Sequence, residues 1–261
     1  MTAEMAGFRL PNRTLLWWGF LCVAALVNAA AWGASAWWLA PQPDIEATRR
    51  ALLWLSAVYV AGCAFRSLLP MIDVPRYCLL DTPISRIFVG RSVATVAELA
   101  FVAQWALLMH EAGAVRAAVA VLVIIVVAEI LSWLAVLTRN DLFHAAENAL
   151  WAVAAALATV FLASRWGHQG EIGHKVIVVA IACAALYVAF MGLYVVPMYV
   201  RRWRAEGVHL SPRVGLLQLL GRCAVERDWG HWRQDAAWLT PYFTVCVWLS
   251  ITLAYVPSLR S

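Results

Sequence analysis

"GRSVATVAELAFVAQW", residues 90–105, is apolar over a helical length, yet it holds a carboxylate, Glu98, near its centre and Arg91 at its start. An ionisable side chain facing lipid costs several kcal/mol, so such residues turn toward a bundle interior or a wet cavity. The stretch therefore reads as one helix of a membrane bundle with a polar layer inside. Composition agrees: of 261 residues, 64% are hydrophobic and 13% charged, with a mean hydropathy of +0.75. Soluble domains carry roughly 45–50% apolar and about 25% charged residues. This chain has too little polar surface to cover a water-soluble core.

A hydrocarbon layer about 30 Å thick needs about 20 mostly apolar helical residues. Seven runs meet that need, at about 15–38, 51–69, 89–109, 115–137, 142–164, 175–199 and 239–257. The expected fold is an all-α integral membrane protein, one polytopic domain over 1–261 built as a bundle of seven transmembrane helices. The first run is longer than the 7–15 residues of a signal-peptide core, and reads as an uncleaved anchor. Residues 200–238 read as a cytoplasmic interfacial segment, with "RVGLLQLLGRCAV" (213–225) as a short helix on the membrane surface between the sixth and seventh spans.

Arginine sets the orientation. Nineteen of the twenty basic residues are arginine, and Lys175 is the sole lysine. With the N-terminus inside, fourteen of the twenty fall in cytoplasmic segments and six outside. Basic residues near span ends collect on the cytoplasmic side, so the N-terminus is expected in the cytoplasm, the C-terminus outside, and the chain in the cell (inner) membrane. The same bias accounts for a pI near 9.1 without nucleic acid, which is excluded as a partner. Four cysteines lie within spans, and Cys78 and Cys223 lie in cytoplasmic segments. With no CxxC pair and no cysteine in an outer loop, neither a disulfide nor a thiolate metal site is expected.

Depth in the membrane relates Glu98 to the other buried acids. At 1.5 Å per residue, Glu98 sits about 12 Å from the cytoplasmic end of its helix, Glu129 about 13 Å and Glu147 about 9 Å, with His144 shallower. Helices joined by short loops tend to be neighbours. Three carboxylates and an imidazole from three consecutive spans thus fall in one layer of the cytoplasmic half. Arg91, Thr95 and Glu98 share one helical stripe, and Glu129 shares another with Ser132. On the fifth span His144, Glu147 and Asn148 lie close together. Glu98, Glu129, His144, Glu147 and Asn148 form a candidate ion or proton pathway. Glu98, Glu129, His144 and Glu147 are also candidate metal ligands, being oxygen-rich with one imidazole.

The segment "FRSLLPMIDVPRYCLLDTPISRIFVGRS" (65–92) alternates Arg66, Asp73, Arg76, Asp81, Arg86 and Arg91, which reads first as internal ion pairs that fix a loop in place. In the functional alternative Arg76, Arg86 and Arg91 hold an anionic headgroup. Near the last span, His231 and Asp235 stand four apart, as an acid–base pair on a helix can. With His144 they are the catalytic candidates. GxGxxG and GxxxxGK[ST] are absent, which removes a nucleotide site. HExxH and GxSxG are absent too. A retinal Schiff base needs a lysine inside the bundle, and Lys175 lies at the outer end of the sixth span. Cofactors therefore stay unassigned.

Three functions fit this pattern. The first is a transporter or channel moving a proton, cation or small solute through the Glu/His layer. The second is a membrane enzyme acting on a lipid or isoprenoid substrate whose anionic group the arginines hold. The third is a non-catalytic sensory or assembly subunit. The lipid bilayer is the first partner, with a small ion, solute or lipid as substrate and an oligomer left open.

Overall fold

Helices account for nearly all of the regular structure in a computed structural model of the chain, which describes residues 13–40, 46–164, 171–205 and 209–256. Arg9, Arg165, Arg260 and the side chain of Lys175 lie outside the described residues. In chain order come α1 (Arg13–Leu39), α2 (Ala47–Leu68), strands β1 (Met71–Ile72) and β2 (Tyr77–Cys78), α3 (Ile87–Glu111), α4 (Val115–Thr138) and α5 (Asp141–Ser164). There follow α6 (Glu171–Phe190), a π-helical turn (Met191–Val195), α7 (Val196–Ala205), α8 (Pro212–Leu219), β3 (Ala224–Val225), α9 (Trp229–Phe243) and α10 (Val245–Thr252).

Among the described residues, 6 helical stretches are long and apolar enough to cross a membrane: Arg13–Leu39, Ala47–Leu68, Ile87–Glu111, Val115–Thr138, Val178–Ala205 and Trp229–Tyr255. The chain is accordingly a multi-pass, all-α membrane protein. The fifth expected span coincides with α5, a helix of 24 residues whose first turns carry Asp141, His144 and Glu147.

From α1 to α6 consecutive helices pack against one another, α7 packs on α5 and α8 on α4, and the last pair, α9 and α10, closes back on α1 and α2. Leu21, Tyr59, Cys63, Ala97, Phe243 and Val247 form the apolar centre where these helices meet α3. Gly62 allows the α2–α3 approach: a Cβ there would lie 2.6 Å from that of Ala97. Buried amides fasten the bundle. Gln104 donates to the Leu52 and Ser250 carbonyls at 2.9 and 3.0 Å and accepts from the Ser250 hydroxyl at 2.6 Å, joining α3 to α2 and α10. Asn28 of α1 donates to the Phe243 carbonyl of α9 at 2.8 Å.

The end of the bundle bearing the arginines, here called the rim, departs from expectation. Segment 200–238 holds the end of α7, then α8, β3 and the first turns of α9. The helices outrun their apolar stretches because Arg202 and Asp235 pair with each other at 2.7 Å, which lets polar turns continue inside the protein. Only part of 213–225 is helical; Gly215 and Leu219 are buried against α4, while Val214, Leu216, Leu217 and Leu220 are exposed.

The disulfide expectation fails outright, because Cys78 and Cys223 are bonded across 145 residues. No local pattern could show this. The bond joins β2 to the residue before β3, and the two strands run parallel, with Tyr77 opposite Ala224 and Cys78 opposite Val225.

At Gly215 an added Cβ would overlap the Leu137 carbonyl of α4. Alanine is otherwise the better helix former, by roughly 1 kcal/mol, so the clash decides the sign. Gly215→Ala should destabilise the rim by about 1–3 kcal/mol, the usual cost of overpacking. Unfolding in detergent checks this, and a melting temperature at or above that of the wild type would contradict the contact.

Candidate functional site

Arg91 emerges one turn into α3 and is only 4% exposed. Its guanidinium finds acid on every side. Nη2 donates to Glu98 Oε2 at 2.5 Å and to Glu129 Oε2 at 2.8 Å. Nη1 lies 3.8 Å from both Asp73 Oδ2 and Glu147 Oε1. Arg66, at the end of α2, stands 3.8 Å from the other oxygen of Asp73. One cationic group thus links α3, α4, α5 and the β1–β2 turn. Glu98 and Arg91 meet because positions seven apart on a helix share a face.

A second ring of donors holds the carboxylates in place. Tyr242 of α9 donates to Glu98 Oε1 at 2.8 Å. Thr95 donates to Glu129 Oε2 at 2.7 Å, and its oxygen accepts from Trp133 Nε1 at 3.1 Å. His144 Nδ1 lies 2.7 Å from Glu147 Oε2. The His144 ring packs on Tyr199 with centroids 5.0 Å apart, and Arg202 lies over the Tyr199 face at 5.6 Å. Arg202 in turn grips Asp235 with both terminal nitrogens, at 3.1 and 2.7 Å.

Two features give this cluster chemical capacity. Four carboxylates (Asp73, Glu98, Glu129 and Glu147) face two guanidinium groups (Arg66 and Arg91). That leaves two negative charges in excess, or one if His144 is protonated. All of these side chains are buried, and uncompensated buried charge is costly. The second feature is an available acceptor. Glu129 is 4% exposed, and its Oε1 has no hydrogen-bond partner, nor has Ser132 Oγ one turn further on. One carboxylate oxygen from each of Glu98, Glu129 and Glu147 lies within 4.8 Å of the other two, a spacing that a cation can bridge.

The structure brings together Glu98, Glu129, Glu147, His144 and Arg91. Asn148 is close by but turns its amide back to the His144 carbonyl at 2.8 Å. The three arginines grouped from the sequence end in three places. Arg91 is engaged by carboxylates. Arg76, whose backbone is left-handed (φ 82), donates to Gln218 Oε1 at 2.5 Å and the Val136 carbonyl at 2.9 Å. Arg86 is exposed at the start of α3. Burial, with Arg139 nearby, holds the Arg76 guanidinium below its ordinary pKa.

His231 and Asp235 do not pair. Helix α9 begins at Trp229, which turns His231 toward Glu226 at 3.2 Å while Asp235 faces Arg202. The backbone N–H groups of Asp228 and Arg227 hold the half-buried Glu226 carboxyl below its ordinary pKa. Tyr242, Tyr199 and Arg202 escaped the sequence reading as parts of this network, whereas the sequence offers Arg66 and Asp73 for ion pairs within their loop, as the structure shows. For Tyr242, 144 residues from Glu98, the chain gives no local sign.

Comparison with protein families, curated proteins and solved structures finds no match. The class therefore rests on the fold and the buried cluster: a multi-pass helical membrane protein with a charged centre inside its rim half.

Proposed function

We propose that the protein is a transporter or channel of the cell (inner) membrane that moves a proton, a cation or a small solute. In this reading seven helices span, with α5 as the fifth, the N-terminus lies in the cytoplasm and the C-terminus outside. The observation that carries it is the buried excess of negative charge beside an unpartnered acceptor, Glu129 Oε1. Among the three cargoes, a proton fits best. A metal bridging Glu98 and Glu129 has to displace Arg91 Nη2, which already bonds both, whereas a proton joins Glu129 Oε1 with nothing displaced. Glu147 and His144, in contact at 2.7 Å, supply the next exchange site toward Tyr199 and the Arg202–Asp235 pair. Such carboxylate–histidine chains within spans are a usual form of proton relay.

The lipid-enzyme alternative loses its anion cradle, since Arg76, Arg86 and Arg91 do not converge. The subunit alternative keeps one supporting observation: the Arg91 bonds tie three helices together and so specify packing.

Flux separates the two. Proteoliposomes loaded with a pH-sensitive dye should dissipate an imposed proton gradient. Glu129→Gln should lose at least tenfold of that flux while remaining folded, because the amide keeps the shape and cannot release a proton. Wild-type flux equal to that of empty liposomes overturns the proton as cargo.

A further inference from the structure

The rim holds a bond that the charged cluster does not use. Cys78 is fully buried in β2, and Cys223, on the neighbouring segment, is only half-buried. Cys223 lines a cavity of about 130 Å³ together with Asp81, Thr82, Pro83, Ser85, Arg86 and Arg222. The Cys223 end of the bond thus borders a cavity that Arg86 and Arg222 also line. Asp81, 3.7 Å from Arg222, offsets part of their charge.

The same bond closes a cap over the cluster. The β1–β2 turn delivers Asp73 to Arg91 and Arg66. Each strand of its sheet is two residues long. The hydrogen bonds from Ala224 N to the Arg76 carbonyl (3.1 Å) and from Glu226 N to the Cys78 carbonyl (2.9 Å) join that turn to β3. A sheet this small is marginal without further support; closing a long loop covalently supplies it.

We propose that Cys78–Cys223 is a redox-modification site for a small anionic thiol, which enters at the arginine-lined cavity and releases the cap. This rests on the rim geometry and not on the transport reading. The thiolate attacks Cys223 Sγ, forming a mixed disulfide, and the Cys78 sulfur leaves as a thiolate. A second thiolate attacks the outer sulfur of the mixed disulfide and releases Cys223. The cystine gains two electrons, the two small thiols become one disulfide, and the protons they gave up end on the two cysteines. Attack falls on Cys223 because Cys78 is enclosed, and Arg86 and Arg222 attract the anionic reagent. On the arginine count the rim faces the cytoplasm, where disulfides are transient and redox-responsive rather than permanent.

The full chain in detergent is treated with glutathione, which is anionic, or with neutral dithiothreitol, and new thiols are counted by alkylation and intact mass. Cys22, Cys63, Cys183 and Cys246 give the background. Both reagents should free two thiols in the folded protein. An Arg86→Ala, Arg222→Ala variant should slow glutathione tenfold or more and dithiothreitol less than threefold. Amide exchange at Ala224 and Glu226 should rise at least tenfold on reduction, and equally in a Cys78→Ser, Cys223→Ser variant. A bond that reacts only after unfolding overturns the proposal. So does equal slowing of the two reagents, or unchanged exchange in the reduced protein.

Discussion

Arg91→Ala should be the most damaging single substitution in the protein, with a loss of about 3–5 kcal/mol, the range for removing one partner of a buried ion pair. The cost comes from what is left behind. Glu98 and Glu129 lose contacts of 2.5 and 2.8 Å, and Asp73 and Glu147 lose their nearest guanidinium nitrogen at 3.8 Å. Arg66 is then the one guanidinium left in the cluster, with His144 beside Glu147. Detergent-induced unfolding measures the loss. Adding Glu98→Gln and Glu129→Gln to Arg91→Ala removes the stranded charge and should recover most of the stability. Failure of that rescue would mean that Arg91 acts through its bulk and not its charge. Arg91→Lys should fall between, since one ammonium cannot reproduce the fork that reaches four acids.

Asp235→Ala should be the second largest, at about 3 kcal/mol, toward the lower end of the same range because the Arg202 side chain keeps 20% exposure. Asp235 accepts both Arg202 nitrogens and also Trp238 Nε1 at 3.1 Å. Without it the contact of α9 with α7 and the π-helical turn before it rests on Tyr194 of that turn, whose hydroxyl donates to the Gln234 carbonyl at 3.3 Å, on Arg202 to Gln234, and on apolar packing. The rim end of α7 should loosen while the Arg91 cluster stays intact. Proteolysis or amide exchange along 196–205 should therefore increase, with little change along 87–98. A uniform increase across both segments would show that Asp235 supports the whole bundle instead.

Depth and period made part of this legible in the sequence. Apolar runs near 20 residues mark the helices, and rise per residue puts Glu98, Glu129 and Glu147 at one level before any contact is known. The i, i+7 relation aligns Arg91 with Glu98. Partner choice was not legible. The alternating loop offers Arg91 either to ion pairs within it or, with Arg76 and Arg86, to an anion; in space Arg91 meets Asp73 of that loop and also Glu98, Glu129 and Glu147 of three helices. His231 and Asp235 satisfied helical spacing, yet Asp235 turns to a guanidinium that arrives from α7. The Cys78–Cys223 bond and the Tyr242 hydroxyl on Glu98 join segments about 145 residues apart, where periodicity carries no information.

In the proposed mechanism a proton on Glu129 meets the excess charge of the buried cluster. Infrared spectroscopy of the folded wild type and Glu129→Gln tests it most directly, since a protonated carboxyl has a carbonyl stretch distinct from that of a carboxylate. The account predicts such a band in the wild type and its loss in Glu129→Gln. A band unchanged by the substitution, or none in the wild type, would contradict it, and stoichiometric metal in the same sample would identify the cation held instead.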